Sequence, residues 1–260
     1  MKPPRISRLE VLLTPAEIAT LPSRDLSRTV CVVFDVLRAT STLLEALANG
    51  ADSILPVPDI ASSLLQKSRD PAVLLAGERD GLKITAAVSG GAEFDLGNSP
   101  REFTRERVAG RRIVMTTTNG TRALDSCSGA ASVLAASFSN LAATARWLER
   151  RDVTQVCLIG AGTRDHSAWE DALGIGALVD LVWERTRDGW VDDAARVVRE
   201  VYLTRRSDLA AALGEGRNGR RLLSLPELAA DVALCAQSDR FDFVAVRGAE
   251  GVLRREPASD

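Results

Sequence analysis

The chain is predicted to be an α/β protein: largely parallel sheet with flanking helices. Three observations carry that prediction. Short apolar runs, each with at least one β-branched residue, recur at 30–34, 72–76, 113–115, 132–136 and 156–159. Each run ends in a small polar cluster, and several of these clusters lead into residues at helical spacing, the pattern of buried parallel strands with helical crossovers. At 260 residues, 45% hydrophobic and 26% charged, the chain has the size and composition of a soluble globular protein with a full core.

In chain order, Thr14-Pro15-Ala16-Glu17 forms a capping box with Pro at the first helical position. Strand 30–34 runs into Asp35 and a helix over 42–48, which stops at Asn49-Gly50. A strand follows at 53–57, a helix at 59–67 and a strand at 72–76. The glycine-rich stretch 86–92 has neither period and is expected to be a loop or hairpin tip. Ser99-Pro100-Arg101-Glu102 and Ser167-Ala168-Trp169-Glu170 are two further capping boxes. Helical spacing covers 141–150 and 169–185. Beyond Trp190 the pattern is mainly helical and arginine-rich, until strands at 243–246 and 252–253 close the chain. Residues 257–260 are expected to fray. No composition shift marks a linker. The division is placed at 187, between a site-bearing α/β region (1–187) and a mainly helical region (188–260) packed on the same core.

Composition removes several function classes. A net charge of −2, with no basic stripe interleaved with aromatics, argues against nucleic acid. No run of about 18 apolar residues and no signal-peptide pattern occurs, so no membrane partner and a cytoplasmic location are expected. The four cysteines are widely spaced and read as buried free thiols. Lys2, Lys67 and Lys83 are the only lysines, and none follows a glycine-rich loop as a Walker lysine would. His166 is the only histidine, which excludes a two-histidine zinc site. Gly160-Ala161-Gly162 lacks the third glycine of a dinucleotide fingerprint, which Asp165 replaces. Chemistry must therefore come from carboxylates, hydroxyls, amides and guanidiniums.

In α/β sheets, ligands bind beyond the carboxyl ends of strands, and the clusters there are the candidates. Thr116, Thr117, Thr118, Asn119, Gly120 and Thr121 exceed what a helix cap needs, and they suit an anion met by backbone N–H groups and hydroxyls. Asp35 at a strand end suits Mg²⁺ through oxygen, with Arg38 as a phosphate clamp. Glu78-Arg79 repeats the pairing of acid and arginine. Glu170 is explained by its capping box, whereas Asp171 is open to a metal role or to a dipole role in the first helical turn.

Several segments together resemble the 2-phosphosulfolactate phosphatase family: 35–42 (DVLRATST), 77–81 (GERDG), 94–100 (FDLGNSP), 116–121 (TTTNGT), 137–140 (SFSN), Glu170-Asp171 with Gly174 and Gly176, and 218–222 (NGRRL). The resemblance covers residues 28–247. It implies a family-specific α/β phosphatase fold, Mg²⁺ dependence and hydrolysis of 2-phospho-3-sulfolactate in coenzyme M biosynthesis. On that reading Asp35, Glu78 and Asp171 are catalytic and hold Mg²⁺, with Glu170 as a further ligand. Arg38 and 116–121 bind the phosphoryl oxygens, and Asn98, Arg79 or Arg122 orient the acidic remainder. An expansion over 84–93, beside the site, departs from the family pattern. The partner is a small anionic phosphorylated substrate, and the reading is compatible with a homodimer. The rivals are a phosphatase for another phosphorylated hydroxy acid and a non-catalytic sensor of an anionic metabolite.

Overall fold

Eleven strands join in one mixed sheet in the computed structural model, which describes residues 5–151 and 153–258. They are β1 (Arg8–Leu12), β2 (Thr29–Phe34), β3 (Ser53–Pro56), β4 (Leu74–Arg79), β5 (Leu82–Lys83), β6 (Arg112–Thr116), β7 (Ser132–Ala136), β8 (Gln155–Gly160), β9 (Trp190–Val191), β10 (Phe243–Arg247) and β11 (Leu253–Pro257). Their order is β5-β4-β6-β3-β11-β10-β7-β2-β8-β1-β9.

Two parallel blocks make up most of this sheet. β4, β6 and β3 form one, and β7, β2, β8, β1 and β9 form the other. Between them sits the antiparallel hairpin β10–β11, pairing with β7 on one side and with β3 on the other. Each of these three pairings reverses direction, so the two blocks run oppositely. The sequence-based picture of polar clusters along one common edge is corrected here: the clusters belong to two blocks. The blocks nonetheless share a core, in which Cys31, Val33 and Ile159 pack with Ala76, Ile113 and Met115. The sheet must bend for that to happen, and the bend brings the ends of β2 and β4 together.

Local signals explain many boundaries. Thr14 caps helix Pro15–Ile18 in a reciprocal box, and Asp59 caps helix Ile60–Arg69 through the Ser62 N–H. Helix Ala39–Ala48 ends at Asn49, followed by Gly50 at φ +91. Tertiary partners override two of the expected boxes. Ser99 turns its hydroxyl to Asp231 rather than to its own helix. Ser167 does not cap helix Trp169–Val182, whose N-cap is Ala168. The stretch 86–92 contains a short helix, Ala86–Ser89. Pro257, expected to fray, pairs with Phe243, and Ala258 is buried; Ser259 and Asp260 lie outside the described residues. Strand β1 was not anticipated.

All four cysteines are free and buried. No helix among the described residues is long and apolar enough to cross a membrane.

Helix Trp169–Val182 packs closely against helix Asp193–Arg205 because Gly176 has no side chain. A Cβ there would stand 2.2 Å from the Val198 carbonyl oxygen and 2.8 Å from Tyr202 Cβ. Gly176→Ala is therefore expected to push the helices apart at a cost of about 1–3 kcal/mol. Urea unfolding measures it, and an unchanged midpoint would contradict this contact.

Candidate active site

A cavity of about 260 Å³ opens where β2, β4 and β8 end, closed on one side by helix Arg217–Leu223. Of the residues singled out in the sequence, Asp35, Arg38, Glu78, Asn98, Thr118 and Asn119 line it. Glu170, Asp171, Arg79, Thr116, Thr117, Gly120 and Thr121 do not.

Asp35 sits at the carboxyl end of β2 and is 9% exposed. Its Oδ1 accepts the Ala39 N–H at 3.1 Å, and its backbone N–H donates to Thr40 Oγ1. Gly120 presses against its other face: a Cβ there would lie 2.6 Å from Asp35 Oδ2. Burial pushes the Asp35 carboxyl up to about 7, and the nearby charges of Glu78 and Glu170 add to the effect. A carboxyl raised in this way is suited to exchanging a proton.

Glu78 faces Asp35 from the end of β4. Thr118 donates to Glu78 Oε1 through both its N–H (2.7 Å) and its hydroxyl (2.8 Å), while Oε2 accepts the Gly81 N–H at 2.7 Å. The hydroxyl-rich segment thus divides. Thr118 and Asn119 face the cavity. Thr117 and Thr121 bond to each other, and Thr116 Oγ1 accepts from Arg79 at 3.1 Å.

Arg79 follows Glu78 in the strand, and the pleat sends it to the opposite face. There it bonds to Thr116, and burial together with the Arg122 charge lowers its pKa. Arg122 is exposed on helix Gly120–Ser126, away from the cavity.

Asp171 ties two loops together. Its Oδ1 accepts the Val36 N–H at 2.9 Å and its Oδ2 the Gly162 N–H at 3.1 Å. Burial, then the charges of Glu170 and Asp35, raise its pKa well above the usual carboxylate range. Glu170, 2% exposed, accepts from Asn218 on Oε1, while Oε2 is buried without a partner; burial raises its pKa too.

Arg38 is 4% exposed, with Nη1 donating to Asp231 Oδ2 at 2.7 Å and Nη2 to the Gly81 carbonyl at 2.6 Å. Asp231, fully buried, also accepts from Ser99 Oγ and Arg101 Nε, each at 2.7 Å. Sequence reasoning missed Asp231, and it missed Arg164, Arg217 and Arg221 as site residues, all three of which line the cavity. The Asn218-to-Leu222 motif contains Arg221 and was the available signal for it. The expansion over 84–93 does not reach the cavity wall.

The sequence model of 2-phosphosulpholactate phosphatase matches residues 14–249. The chain belongs to the 2-phosphosulpholactate phosphatase family. It is 38% identical over 217 residues to a probable 2-phosphosulfolactate phosphatase of Caldicellulosiruptor saccharolyticus, covering 82% of this chain and 86% of that protein. A probable 2-phosphosulfolactate phosphatase of Synechococcus sp. (strain JA-3-3Ab) is 39% identical over 228 residues, covering 85% and 90%. One from Pseudothermotoga lettingae is 37% identical over 243 residues, covering 93% and 99%.

For a member of the 2-phosphosulpholactate phosphatase family, fit to a hard cation can be tested on the donor atoms. Among the described residues, no three His, Cys, Asp or Glu side chains form a group that could hold a metal. Mg²⁺ does not require one, because it is commonly held by one or two carboxylates with water and substrate phosphate completing the shell. Asp35 and Glu78 supply two carboxylates, and Asn98, which lines the same cavity, has a buried Oδ1 without a partner. The donors are all oxygen, and they fit.

The buried acids also make the fold pH-sensitive. Asp35, Glu170 and Asp171 all bind a proton more tightly folded than unfolded. The folded state then holds protons that the unfolded chain has already released, and stability falls as pH rises, for Asp35 towards about pH 7. With chelator present, Tm measured by calorimetry is expected to drop from about pH 5 to about pH 7, and Asp35→Asn should flatten part of that slope. A Tm that climbs across this range would contradict the assignment.

Proposed function

We propose that the protein is a Mg²⁺-dependent phosphatase that hydrolyses 2-phospho-3-sulfolactate to 3-sulfolactate and phosphate in the cytoplasm. Family membership supports the reaction class. The observation that carries the reading is one cavity lined by the carboxylates Asp35 and Glu78, the neutral donors Thr118 and Asn119, and the guanidiniums Arg38, Arg164, Arg217 and Arg221. Such a cavity accommodates a reacting phosphoryl group and a further anionic group at once, whereas simple anion capture has no use for Asp35 and Glu78.

In this reading Asp35 and Glu78 hold Mg²⁺, with Asn98 Oδ1 as a neutral third donor. When bound, the ion neutralises charge that develops on the phosphoryl oxygens. Thr118 and Asn119 orient the phosphoryl group, and Thr118 in turn fixes Glu78. Asp35 takes part at the phosphorus, as proton acceptor for an attacking water or as nucleophile. Asp171 keeps the loops after β2 and β8 in place, and Glu170 reinforces the raised pKa of Asp35.

Phosphate release from 2-phospho-3-sulfolactate tests the proposal. Removal of Mg²⁺ with EDTA should lower the rate by about 10²–10³-fold, as loss of a charge-stabilising contact does, and added Mg²⁺ should restore it. Undiminished release in EDTA would remove the metal from the scheme. Thermal stabilisation by the substrate without phosphate release would favour the sensor.

A further inference from the structure

Arg38 borders two spaces. It lines the active cavity, and it also lines a second cavity of about 410 Å³, together with Lys83, Glu102, Arg107 and Glu227. A long, flexible side chain with room in both needs anchors to keep one aim. It has two, one at each terminal nitrogen: Nη1 donates to Asp231 Oδ2 at 2.7 Å and Nη2 to the Gly81 carbonyl at 2.6 Å. A planar fork held at both tips cannot swing, and these bonds use only part of its five N–H donors.

Asp231 is placed to act as such an anchor. It is fully buried on helix Ala229–Cys235 and is not among the residues lining the active cavity. It can therefore reach a substrate only through a neighbour. Its Oδ1 accepts from Ser99 Oγ and Arg101 Nε, which fixes the carboxylate on one side and leaves Oδ2 for Arg38. All three partners are donors, so both oxygens must accept, and an amide would turn its own N–H groups against one set of them. A buried ion pair is often no more stabilising than a well-packed apolar pair, so stability alone is a weak reason for this one.

We infer that Asp231 is a positioning residue for the reaction: through Arg38, it keeps the guanidinium aimed into the active cavity and out of the second one. The inference rests on the function proposed above, with Arg38 touching the substrate and Asp231 acting only through it. The C-terminal helical region thereby contributes to the site a group that never meets the ligand. Because the fork is ordered on folding, no part of that ordering is left to substrate binding.

The test is a double-mutant cycle on kcat/KM for phosphate release, with Asp231→Asn, Arg38→Met and the two combined, at a temperature where circular dichroism shows each folded. Asp231→Asn should lower kcat/KM about 10²-fold, the size expected when a group at the reacting centre is displaced by about an ångström. In the Arg38→Met background the same substitution should change it by less than about twofold. Asp231→Glu, which restores the charge, should recover part of the loss. Equal losses in both backgrounds would overturn the inference, because Asp231 would then act by another route, such as Ser99 and its neighbour Asn98. An Asp231→Asn enzyme within about twofold of the wild type would overturn it too. A second measurement needs no turnover: guanidinium NMR of the ligand-free wild type, with Arg38 assigned by the signal lost in Arg38→Lys. Separate, slowly exchanging Nη signals are expected, merging in Asp231→Asn. An averaged Nη signal in the wild type, or signals that stay separate in a folded Asp231→Asn protein, would overturn the inference. If the wild type releases no phosphate, the proposed function fails, and the NMR result alone decides the positioning.

Discussion

Asp35→Asn is expected to reduce phosphate release by about 10²–10³-fold while the protein still folds. Asparagine keeps the shape of the side chain and an oxygen for the Ala39 N–H, so the turn into helix Ala39–Ala48 survives. It cannot accept a proton, carry negative charge towards a cation or attack phosphorus. Stability should hold or rise, because the substitution removes a carboxylate whose ionised form is disfavoured by burial and by the charges of Glu78 and Glu170. The measurement is kcat by phosphate release alongside a thermal melt. A fall of only about twofold with an unchanged melt would leave Asp35 a structural role and remove the centre of the proposed chemistry.

The second large effect is on stability. Asp231→Ala should cost about 3–5 kcal/mol, because it leaves the Arg38 guanidinium buried without its counter-charge. The pair's side chains are only 3% and 0% exposed, and Ser99 and Arg101 would lose their acceptor as well. Replacing the pair together, as Arg38→Met/Asp231→Leu, should recover much of the loss, since an apolar pair pays no desolvation. Activity should stay low in that double variant, because Arg38 lines the cavity. Urea unfolding with linear extrapolation reads both stability differences, and phosphate release reads the activity. A loss within the surface-pair range of about 0–1 kcal/mol for Asp231→Ala would mean that water reaches the pair.

How much of this was legible in the sequence depends on the range of the interaction involved. The strands at 29–34, 132–136 and 155–160 follow from β-branched runs, and the caps at Thr14 and Asp59 from bonds spanning three residues. Asp35 and Glu78 stand out because each ends an apolar run. Asp231 does not: it lies in an ordinary helical stretch, and its meaning comes from Arg38, 193 positions earlier. Ser99 carries a valid local signal and follows a distant partner instead. Arg79 was legible and misread, since adjacent residues in a strand point to opposite faces and it cannot join Glu78 in the cavity. The reversal between the parallel blocks depends on where the last two strands insert, and no local pattern encodes that.

That insertion has a consequence for biosynthesis. The ribosome makes β10 and β11 after the nine other strands described here, yet they occupy the middle of the sheet, between β7 and β3. Until they emerge, each of those strands offers a bare flank of unpaired amides and carbonyls, the kind of surface that invites pairing with another nascent chain. The hydrogen-bonded seam between the two halves thus closes only after every other strand has been made, and a product stopped short of Phe243 would have to rely on the shared apolar core alone to hold its two margins together.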